Sequence, residues 1–242
     1  MKDLFSAHSR LYQQARPTYP QELVQSLLTF VPERQFAWDC GAGSGQFTQL
    51  LVPYFDQIVA TDLSASQLQH APYFENVSYQ VQTAESNSFP AQCFDLITVA
   101  QAIHWFDFDA FYAQVRRTLK PDGVFAVVGY GLLQVNEPQL NDAIQKLYSV
   151  TLKNFWDAER HYIDEGYQTI PFPFQEIEMP AFKIQLQWSF QQFINYLHTW
   201  SAVKHYMEQN GIDPIDQIES LYVDDQLLNI EFPVLLRVGK LE

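Results

Sequence analysis

Basic residues and cysteines are scarce in this chain of 242 residues. It has 14 lysines and arginines against 28 acids, which gives a formal charge of −14 at pH 7. Proteins that bind nucleic acid need a basic surface, so this balance argues against an RNA or DNA substrate. The two cysteines, Cys40 and Cys93, offer no disulfide framework and are consistent with a reducing compartment. We therefore expect a cytoplasmic protein that does not bind nucleic acid.

Long apolar runs are also missing. No run reaches the roughly 18 apolar residues that a membrane-spanning helix requires. The first ten residues lack the apolar segment of a secretory signal. We expect no membrane partner. Hydrophobic residues still make up 47% of the chain, which is enough for the core of one large α/β domain.

Glycine is sparse too, with 9 residues, but three of them stand at alternate positions in F-A-W-D-C-G-A-G-S-G-Q, residues 36–46. The pattern predicts a buried strand, a tight turn and the start of a helix. Glycine allows a positive φ and lets a ligand approach the backbone closely, and a helix start offers unpaired N–H groups. The turn is therefore predicted to hold a nucleotide-like ligand through Gly41, Ala42, Gly43 and Gly45.

The glycine spacing indicates which ligand. A dinucleotide-binding G-x-G-x-x-G turn that began at Gly41 would have its third glycine at Gln46, whereas here it comes at Gly45. Asp39 precedes the first glycine, and a carboxylate there would repel a pyrophosphate but favour a cationic amino or sulfonium group. The pattern D-x-G-x-G-x-G resembles motif I of the class I S-adenosylmethionine-dependent methyltransferases, whose turn faces the methionine part of the cofactor.

This resemblance implies a fold and a cofactor. The expected fold is α/β and Rossmann-like, with helices on both faces of a seven-stranded, mostly parallel sheet, an antiparallel last strand and a helical cap after strand 5. A single domain would span 1–242, with a cofactor-binding core at 1–130 and the substrate lid and last strands at about 131–230. S-adenosylmethionine would be the methyl donor and S-adenosylhomocysteine the product.

Asp62 ends a second apolar strand, close to the roughly 20-residue offset at which the ribose-binding acid follows the glycine turn. We expect Asp62, with Leu63 beside it, to bind the ribose hydroxyls. Asp62 could also cap the next helix, and the two roles are compatible. The resemblance places Ala84 and Glu85 beside the adenine, although Ser86 stands where the family often has an acid.

Two further segments resemble one branch of these enzymes, which includes trans-aconitate methyltransferase. The first is Y-x-x-x-R-P-x-Y-P, in which Tyr12 and Arg16 would close over the cofactor and reach its carboxylate. A solvated Arg16 beside a helix-ending proline is the alternative. The second is A-Q-A-I-H-W-F at 100–106, which follows a buried strand. Ligands bind at the carboxyl ends of such strands, so Gln101 and Ala102 are assigned to the cofactor.

His104 is the one histidine that this rule places at the site, where it would act as a general base, orient the acceptor or pack beside Trp105. No metal-ligand spacing occurs, and no metal is expected. Trp105, Tyr19 and Trp200 are predicted to contact the acceptor.

The segment beyond residue 130 carries little of the resemblance. Helical spacing predicts helices over 138–156 and 190–206. Aromatic residues of this segment would line the acceptor pocket, although core packing is an ordinary alternative for each; they are Trp156, Tyr162, Trp200 and Tyr206.

The predicted function is methyl transfer to an oxygen, nitrogen or sulfur of a small-molecule acceptor, by a monomer or homodimer. The acidic balance weakly favours a neutral or cationic acceptor. Two alternatives remain: a non-catalytic S-adenosylmethionine-binding or regulatory protein, and a nicotinamide-dependent oxidoreductase. The positions of Asp39 and Gly45 disfavour the oxidoreductase.

Overall fold

A twisted sheet with five parallel strands forms the first half of the protein. The computed structural model describes residues 16–221 and 227–241. The parallel strands lie in the order β3-β2-β1-β4-β5. The central strand β4 is buried at six consecutive positions, as its continuous apolar sequence predicts for a strand covered on both faces. The strands are β1 Phe36–Cys40, β2 Gln57–Asp62, β3 Val77–Val81, β4 Phe94–Ala100 and β5 Leu119–Tyr130.

A long antiparallel strand, β9 Leu228–Lys240, completes the sheet. It pairs with β5 from Phe125 opposite Gly239 to Tyr130 opposite Val234. Three shorter strands also run antiparallel to β9: β6 Gln134–Val135, β7 Gln175–Ile177 and β8 Lys183–Trp188. The described chain thus has nine strands rather than the expected seven, because the cap adds short pieces along β9. The fold class and the antiparallel last strand are confirmed.

Helices cover both faces of the sheet. Helix α1 packs Leu23 and Leu27 into one apolar cluster, and α4 packs Phe111 and Tyr112 into the cluster on the other face. Helix α2, which follows the glycine turn, is short and has hydrogen-bonded turns on either side. The helices of this half are α1 Gln21–Leu28, α2 Thr48–Leu51, α3 Ala65–Gln69 and α4 Phe108–Thr118.

The cap departs from the sequence-based expectations. The single helix predicted over 138–156 is wrong: α5 covers Pro138–Lys146 and passes into a π-helical turn, Leu147–Thr151. The Tyr148 carbonyl, which a continuing helix would use, instead accepts the indole N–H of Trp156 at 3.1 Å. A 3₁₀ turn, Ala158–Arg160, then leads into the short helix α6, His161–Asp164.

The single helix predicted over 190–206 is also wrong. Helix α7, Phe190–Leu197, is separated from α8, Ser201–Asn210. At the break, the Thr199 hydroxyl donates to the Tyr196 carbonyl at 2.6 Å, in competition with a helical N–H. The short helix α9, Asp216–Glu219, follows. None of the helices in the described ranges is both long and apolar enough to cross a membrane.

Candidate active site

A cleft opens at the carboxyl ends of β1, β2 and β4, between the sheet and the cap. The strand order reverses at β1, which has β2 on one edge and β4 on the other. Ligands of open α/β sheets bind at such a reversal. The cleft wall consists of the glycine turn, the end of β2, the segment after β4, the chain before α1 and part of the cap.

The glycine turn has the geometry that its sequence predicts. Gly41, Gly43 and Gly45 have φ values of +70°, +55° and +79°, a region that side chains rarely adopt. A Cβ on Gly41 would lie 2.5 Å from Cβ of Ala102, and a Cβ on Gly43 would lie 2.7 Å from Oε1 of Gln67. The first two glycines thus let the turn pass close to its neighbours along the floor of the cleft.

Asp62 is fixed in orientation by the backbone on both sides. Its Oδ2 accepts the N–H of Gly43 at 2.9 Å, and its Oδ1 accepts the N–H of Ser64 at 2.8 Å. Ser64 caps α3 through its own side chain, which accepts from the N–H of Gln67. Asp62 belongs to the cleft wall, so this oriented carboxylate is placed where a bound ligand would meet it.

Asp39 lies in the interior rather than in the cleft wall. Its side chain is 0% exposed, and its oxygens accept the hydroxyls of Thr48 at 2.6 Å and Thr98 at 2.8 Å. Burial raises the pKa of Asp39 to about 6, although the two hydroxyls oppose that shift. In this arrangement the Asp39 carboxylate is therefore not placed to contact a cationic group of a ligand directly, as the sequence had suggested.

Among the described residues, the acids that line the cleft are Asp62 and Asp157. Within the described residues, Oδ2 of Asp157 is buried and has no hydrogen-bond partner. A buried carboxylate oxygen without a donor is costly. The wall therefore has an acceptor suited to an N–H or O–H group of a bound molecule.

The segment after β4 turns sharply into the cleft. Gln101 has a φ of +54°, and its side-chain amide donates to the Tyr130 carbonyl at 3.0 Å. Ala102 then packs against Gly41, and a 3₁₀ turn, Ile103–Trp105, follows. This turn brings His104 and Trp105 to the cleft wall.

His104 is held as a neutral ring. Its side chain is 6% exposed, and burial, assisted by the nearby Arg160 guanidinium, lowers the pKa of His104 to about 3. Nδ1 of His104 lies 3.3 Å from the Tyr167 hydroxyl. A histidine with so low a pKa is a weak base at neutral pH.

The cap side of the cleft is aromatic and carries two arginines. The Trp156 and Trp200 rings lie 5.5 Å apart. The Arg160 guanidinium lies 4.9 Å from the centre of the Trp156 ring, and its Nε donates to the Tyr148 hydroxyl at 2.9 Å. The second arginine, Arg16, comes from the segment before α1.

The residues before α1 also reach this wall. Arg16 donates to the Tyr130 hydroxyl at 2.8 Å. Tyr19 packs edge-on against Phe47, with their ring centres 5.5 Å apart. Arg16 thus lies where the sequence places it, beside the cleft rather than in bulk solvent.

The cleft brings together most of the predicted site residues. Gly45 faces Tyr79 and Ala71 instead. Glu85 accepts the N–H of Asp107 at 3.3 Å, and neither Glu85 nor the buried Ala84 is part of the cleft wall. Tyr12 lies outside the described residues. The predicted residues in the wall are Arg16, Tyr19, Gly41, Ala42, Gly43, Asp62, Leu63, Gln101, Ala102, His104, Trp105 and Trp200.

Sequence reasoning missed two charged residues of the wall, Asp157 and Arg160. The run W-D-A-E-R at 156–160 combines aromatic, acidic and basic groups, but it lies where the predicted helix 138–156 ends, and no strand end indicates which way it faces. Of the aromatics suggested for the pocket, Trp156 and Trp200 line it. Tyr162 packs on Phe108 and Tyr206 on Phe155 instead.

Comparison with known proteins supplies the family. A model of the methyltransferase domain matches residues 38–127. A candidate methyltransferase of Dictyostelium discoideum is 32% identical over an alignment of 251 residues, gaps included. The alignment covers 99% of this chain and 95% of that protein. The structure of a candidate type II methyltransferase from Anaeromyxobacter dehalogenans superposes with a TM-score of 0.85 at 37% identity, over 93% of this chain and 97% of the other.

A candidate S-adenosylmethionine-dependent methyltransferase of Saccharomyces cerevisiae is 30% identical over 134 residues. The match covers 52% of this chain and 45% of the yeast protein. With the fold and the glycine turn, these similarities place the chain: it belongs to the class I S-adenosylmethionine-dependent methyltransferases. S-adenosylmethionine is the cofactor of that class.

The residues of the cleft fit this cofactor. Gly41 and Gly43 form a turn that a side chain would obstruct. Asp62 presents an oriented carboxylate suited to a ribose diol, and Asp157 has an unsatisfied buried oxygen within the described part of the chain. These hydrogen-bond acceptors therefore match a ligand that carries a diol and N–H groups.

Proposed function

We propose that this enzyme transfers the methyl group of S-adenosylmethionine to an oxygen, nitrogen or sulfur of a small-molecule acceptor by in-line displacement. The observation that carries the proposal is one cleft with two unlike parts in its wall. The sheet contributes the glycine turn and Asp62, and the cap contributes Trp156, Trp200 and Arg160; we take the cap part as the acceptor end. A two-substrate transfer requires such an arrangement, whereas a protein that only binds the cofactor does not.

The cofactor end is assigned as follows. Asp62 would accept the ribose hydroxyls, and the backbone of Gly41 and Gly43 would run beside the methionine part. Arg16 would bind the methionine carboxylate, because its guanidinium is already oriented by the Tyr130 hydroxyl. Ala84 and Glu85 remain the residues that the family resemblance places near the adenine, and Tyr12 remains a predicted lid residue.

When bound, S-adenosylmethionine supplies an electrophilic methyl group on a positively charged sulfur. The protein contributes mainly alignment, which is worth several kcal/mol when two reactants are held in a productive geometry. Trp105 lies where the turn after β4 meets the cleft, and Trp156 and Trp200 form the facing wall. These indole rings would exclude water from the reacting atoms and limit the acceptor to a small molecule.

Arg160 changes the expectation about the acceptor. The net charge of the chain favours a neutral or cationic molecule, but Arg160 places a cationic group in the acceptor end of the cleft. Within the described residues Arg160 makes its polar contacts through Nε, and its Nη1 and Nη2 make no hydrogen bond. A carboxylate or another negative group on the acceptor would therefore be matched locally.

The setting of the reaction is inferred from composition. Two free cysteines and an excess of acids are consistent with a cytoplasmic enzyme that acts on small molecules rather than on nucleic acid. We infer a single domain over 1–242, with about 131–230 as lid and last strands, that acts as a monomer or homodimer.

Titration calorimetry tests the cofactor assignment. The purified protein should bind S-adenosylhomocysteine with a micromolar dissociation constant and should not bind NAD. Binding of NAD alone would overturn the assignment of the glycine turn, and binding of neither would reject the cofactor site.

A second experiment tests catalysis. The protein is incubated with S-adenosylmethionine and a panel of small carboxylates, thiols, amines and phenols, and S-adenosylhomocysteine is measured. Acceptor-dependent formation of S-adenosylhomocysteine is the expected result. Tight binding of S-adenosylhomocysteine without turnover of any acceptor in a wide panel would favour a regulatory protein.

A further inference from the structure

His104 and Tyr167 form a buried pair behind the acceptor end of the cleft. Tyr167 has no exposed surface, and its hydroxyl lies 3.3 Å from Nδ1 of His104. His104 belongs to the cleft wall and keeps 6% of its surface exposed. Among the described residues, Tyr167 is the one hydrogen-bond partner of the His104 ring. The other ring nitrogen, Nε2, is left for a molecule in the cleft.

The direction of this hydrogen bond follows from counting donors and acceptors. If Nδ1 carried the ring proton, it would donate to the Tyr167 oxygen, and the buried phenolic O–H would have no acceptor among the described residues. If Nδ1 is unprotonated, the Tyr167 O–H donates to it and both atoms are satisfied. Buried donors without acceptors are costly and rare. The second arrangement is therefore favoured, and it puts the ring proton on Nε2.

Three features hold Tyr167 in this place. Gly166 and Tyr167 are consecutive left-handed residues, with φ values of +63° and +62°. This conformation is strained for an aromatic side chain, and such strain clusters at functional sites. Gly129 in β5 makes room for the ring, because a Cβ there would lie 2.5 Å from Cε2 of Tyr167. Arg237 donates to the Tyr167 carbonyl at 3.3 Å.

We propose that Tyr167 is a positioning residue, which holds His104 as the neutral ring protonated on Nε2, so that His104 donates a hydrogen bond to the methyl acceptor and takes no proton from it. The inference rests on the proposed function, since it is the acceptor that would occupy this end of the cleft. It replaces the general-base role that the sequence suggested for His104.

This arrangement restricts the class of acceptor. The acceptor must present a hydrogen-bond acceptor to Nε2, and its reacting atom must have a lone pair available without loss of a proton to His104. Carboxylates and thiolates meet both conditions. A neutral amine meets them only where another group of the molecule accepts from Nε2, because its nitrogen has a single lone pair, and an aliphatic alcohol does not meet them. The unbonded Nη atoms of Arg160 favour, among these, an acceptor with an anionic group.

Nuclear magnetic resonance of the protein labelled with ¹⁵N-histidine reads the protonated nitrogen directly. The chain has 6 histidines, and the spectrum of His104→Gln identifies the His104 signals by their loss. At pH 7 we expect a protonated Nε2 and a hydrogen-bonded, unprotonated Nδ1, both in the free protein and with S-adenosylhomocysteine. A protonated Nδ1 in the unmodified protein would by itself overturn the proposal.

The variant Tyr167→Phe tests the role of the hydroxyl, and Tyr112→Phe is its matched control. Tyr112 is equally buried, belongs to the same apolar cluster, and its hydroxyl donates to the Pro171 carbonyl at 2.6 Å. Tyr167→Phe should shift Nδ1 of His104 away from its hydrogen-bonded value, and Tyr112→Phe should not. Equal shifts in the two variants would mean that the effect is only structural and would overturn the proposal.

Kinetics with an acceptor found in the panel above distinguish a hydrogen-bond donor at position 104 from a general base. His104→Gln keeps an N–H near the position of Nε2 but has no basicity, whereas His104→Ala has neither. We expect kcat/KM of His104→Gln to exceed that of His104→Ala at least tenfold, and equal losses would contradict a donor role. Failure to bind S-adenosylhomocysteine would reject the proposed function alone, because the protonated nitrogen is still read in the free protein.

Discussion

The backbone N–H of Gly43 donates to Oδ2 of Asp62 over 2.9 Å, and this bond joins the glycine turn to the end of β2. The two parts of the chain that the sequence marks as cofactor-binding are thus one unit. Oδ1 of the same carboxylate accepts from Ser64 at the start of α3. Asp62 therefore organises the turn as well as offering a ligand contact, and removal of its carboxylate should affect both.

Asp62→Ala should weaken the binding of S-adenosylhomocysteine at least about 100-fold. Hydrogen bonds to a charged group contribute about 1.5–3 kcal/mol each, and two ribose hydroxyls would be lost together. Titration calorimetry measures the change. Asp56→Ala, at an exposed acid before the opposite end of β2, is the control and should bind normally. Equal affinity of Asp62→Ala and the wild-type protein would remove Asp62 from the ribose site.

The two arginines of the cleft should separate cofactor from acceptor. Arg16→Met should weaken the binding of S-adenosylhomocysteine about 10- to 100-fold. It should leave the binding of methylthioadenosine unchanged, because that molecule lacks the carboxylate. Arg160→Met should leave the binding of S-adenosylhomocysteine unchanged and should raise the KM for an anionic acceptor, also by about 10- to 100-fold. Calorimetry and steady-state kinetics measure the two effects. The opposite pattern would exchange the roles of the two residues.

The buried Asp39 predicts a pH dependence of stability. Its pKa rises from 3.8 to about 6, so between about pH 4 and 6 the folded protein holds this proton more tightly than the unfolded chain. The contribution of Asp39 to the free energy of unfolding is therefore lost as pH rises through that window.

Asp39→Asn cannot titrate, and its stability relative to wild type should increase from pH 4 to pH 7 by about 3 kcal/mol at most. Urea unfolding of both proteins without ligand, at steps of pH, measures this difference. All other titrating groups are common to the two proteins, so parallel stability curves would show that Asp39 ionises normally in the folded state.

Asp95 supports the other end of the sheet, away from the cleft. It is 2% exposed and accepts the N–H groups of Gln35 and Phe36, at 2.9 and 2.8 Å, and the ammonium group of Lys120 at 2.6 Å. Asp95→Asn should cost about 2–4 kcal/mol of stability, because the buried Asp95 carboxylate is a charged acceptor that its three donors would lose. Affinity for S-adenosylhomocysteine should not change.

Denaturant unfolding and calorimetry check both parts of the Asp95 prediction, with Asp122→Asn as the control at an exposed acid. A large loss of affinity in Asp95→Asn would show that the two ends of the sheet are coupled.

The fold of the first half could be predicted because its signals are local. The apolar runs of β1, β2 and β4, the glycine turn and the acid at Asp62 each follow from a few neighbouring residues. The orientation of Asp39 could not be predicted in the same way. The motif gives its position in the chain, but which side chains surround its carboxylate depends on Thr98 of the neighbouring strand and Thr48 of α2.

The helices of the cap could not be predicted because side chains bond backbone carbonyls where the helices end, and helical spacing does not show these bonds. Trp156 takes the carbonyl of Tyr148, and the Thr199 side chain bonds the carbonyl of Tyr196, where helical spacing alone favours continuation. The same folding brings Arg160 beside the turn that carries His104. Residues that meet only after the cap packs on the sheet leave no periodic pattern in the sequence.

The position of β9 has a consequence for how the protein reaches its native state. Leu228–Lys240 is the strand against which β5, β6, β7 and β8 all pair, and it comes after all of them in the chain. Among the described strands, β5 keeps an open edge and the short cap strands lack their partner until β9 leaves the ribosome. Pairings between such distant residues slow folding. Interrupted chains that stop before Leu228 should therefore associate through β5, and completion of the chain, rather than collapse of the first half, should limit the yield of active enzyme.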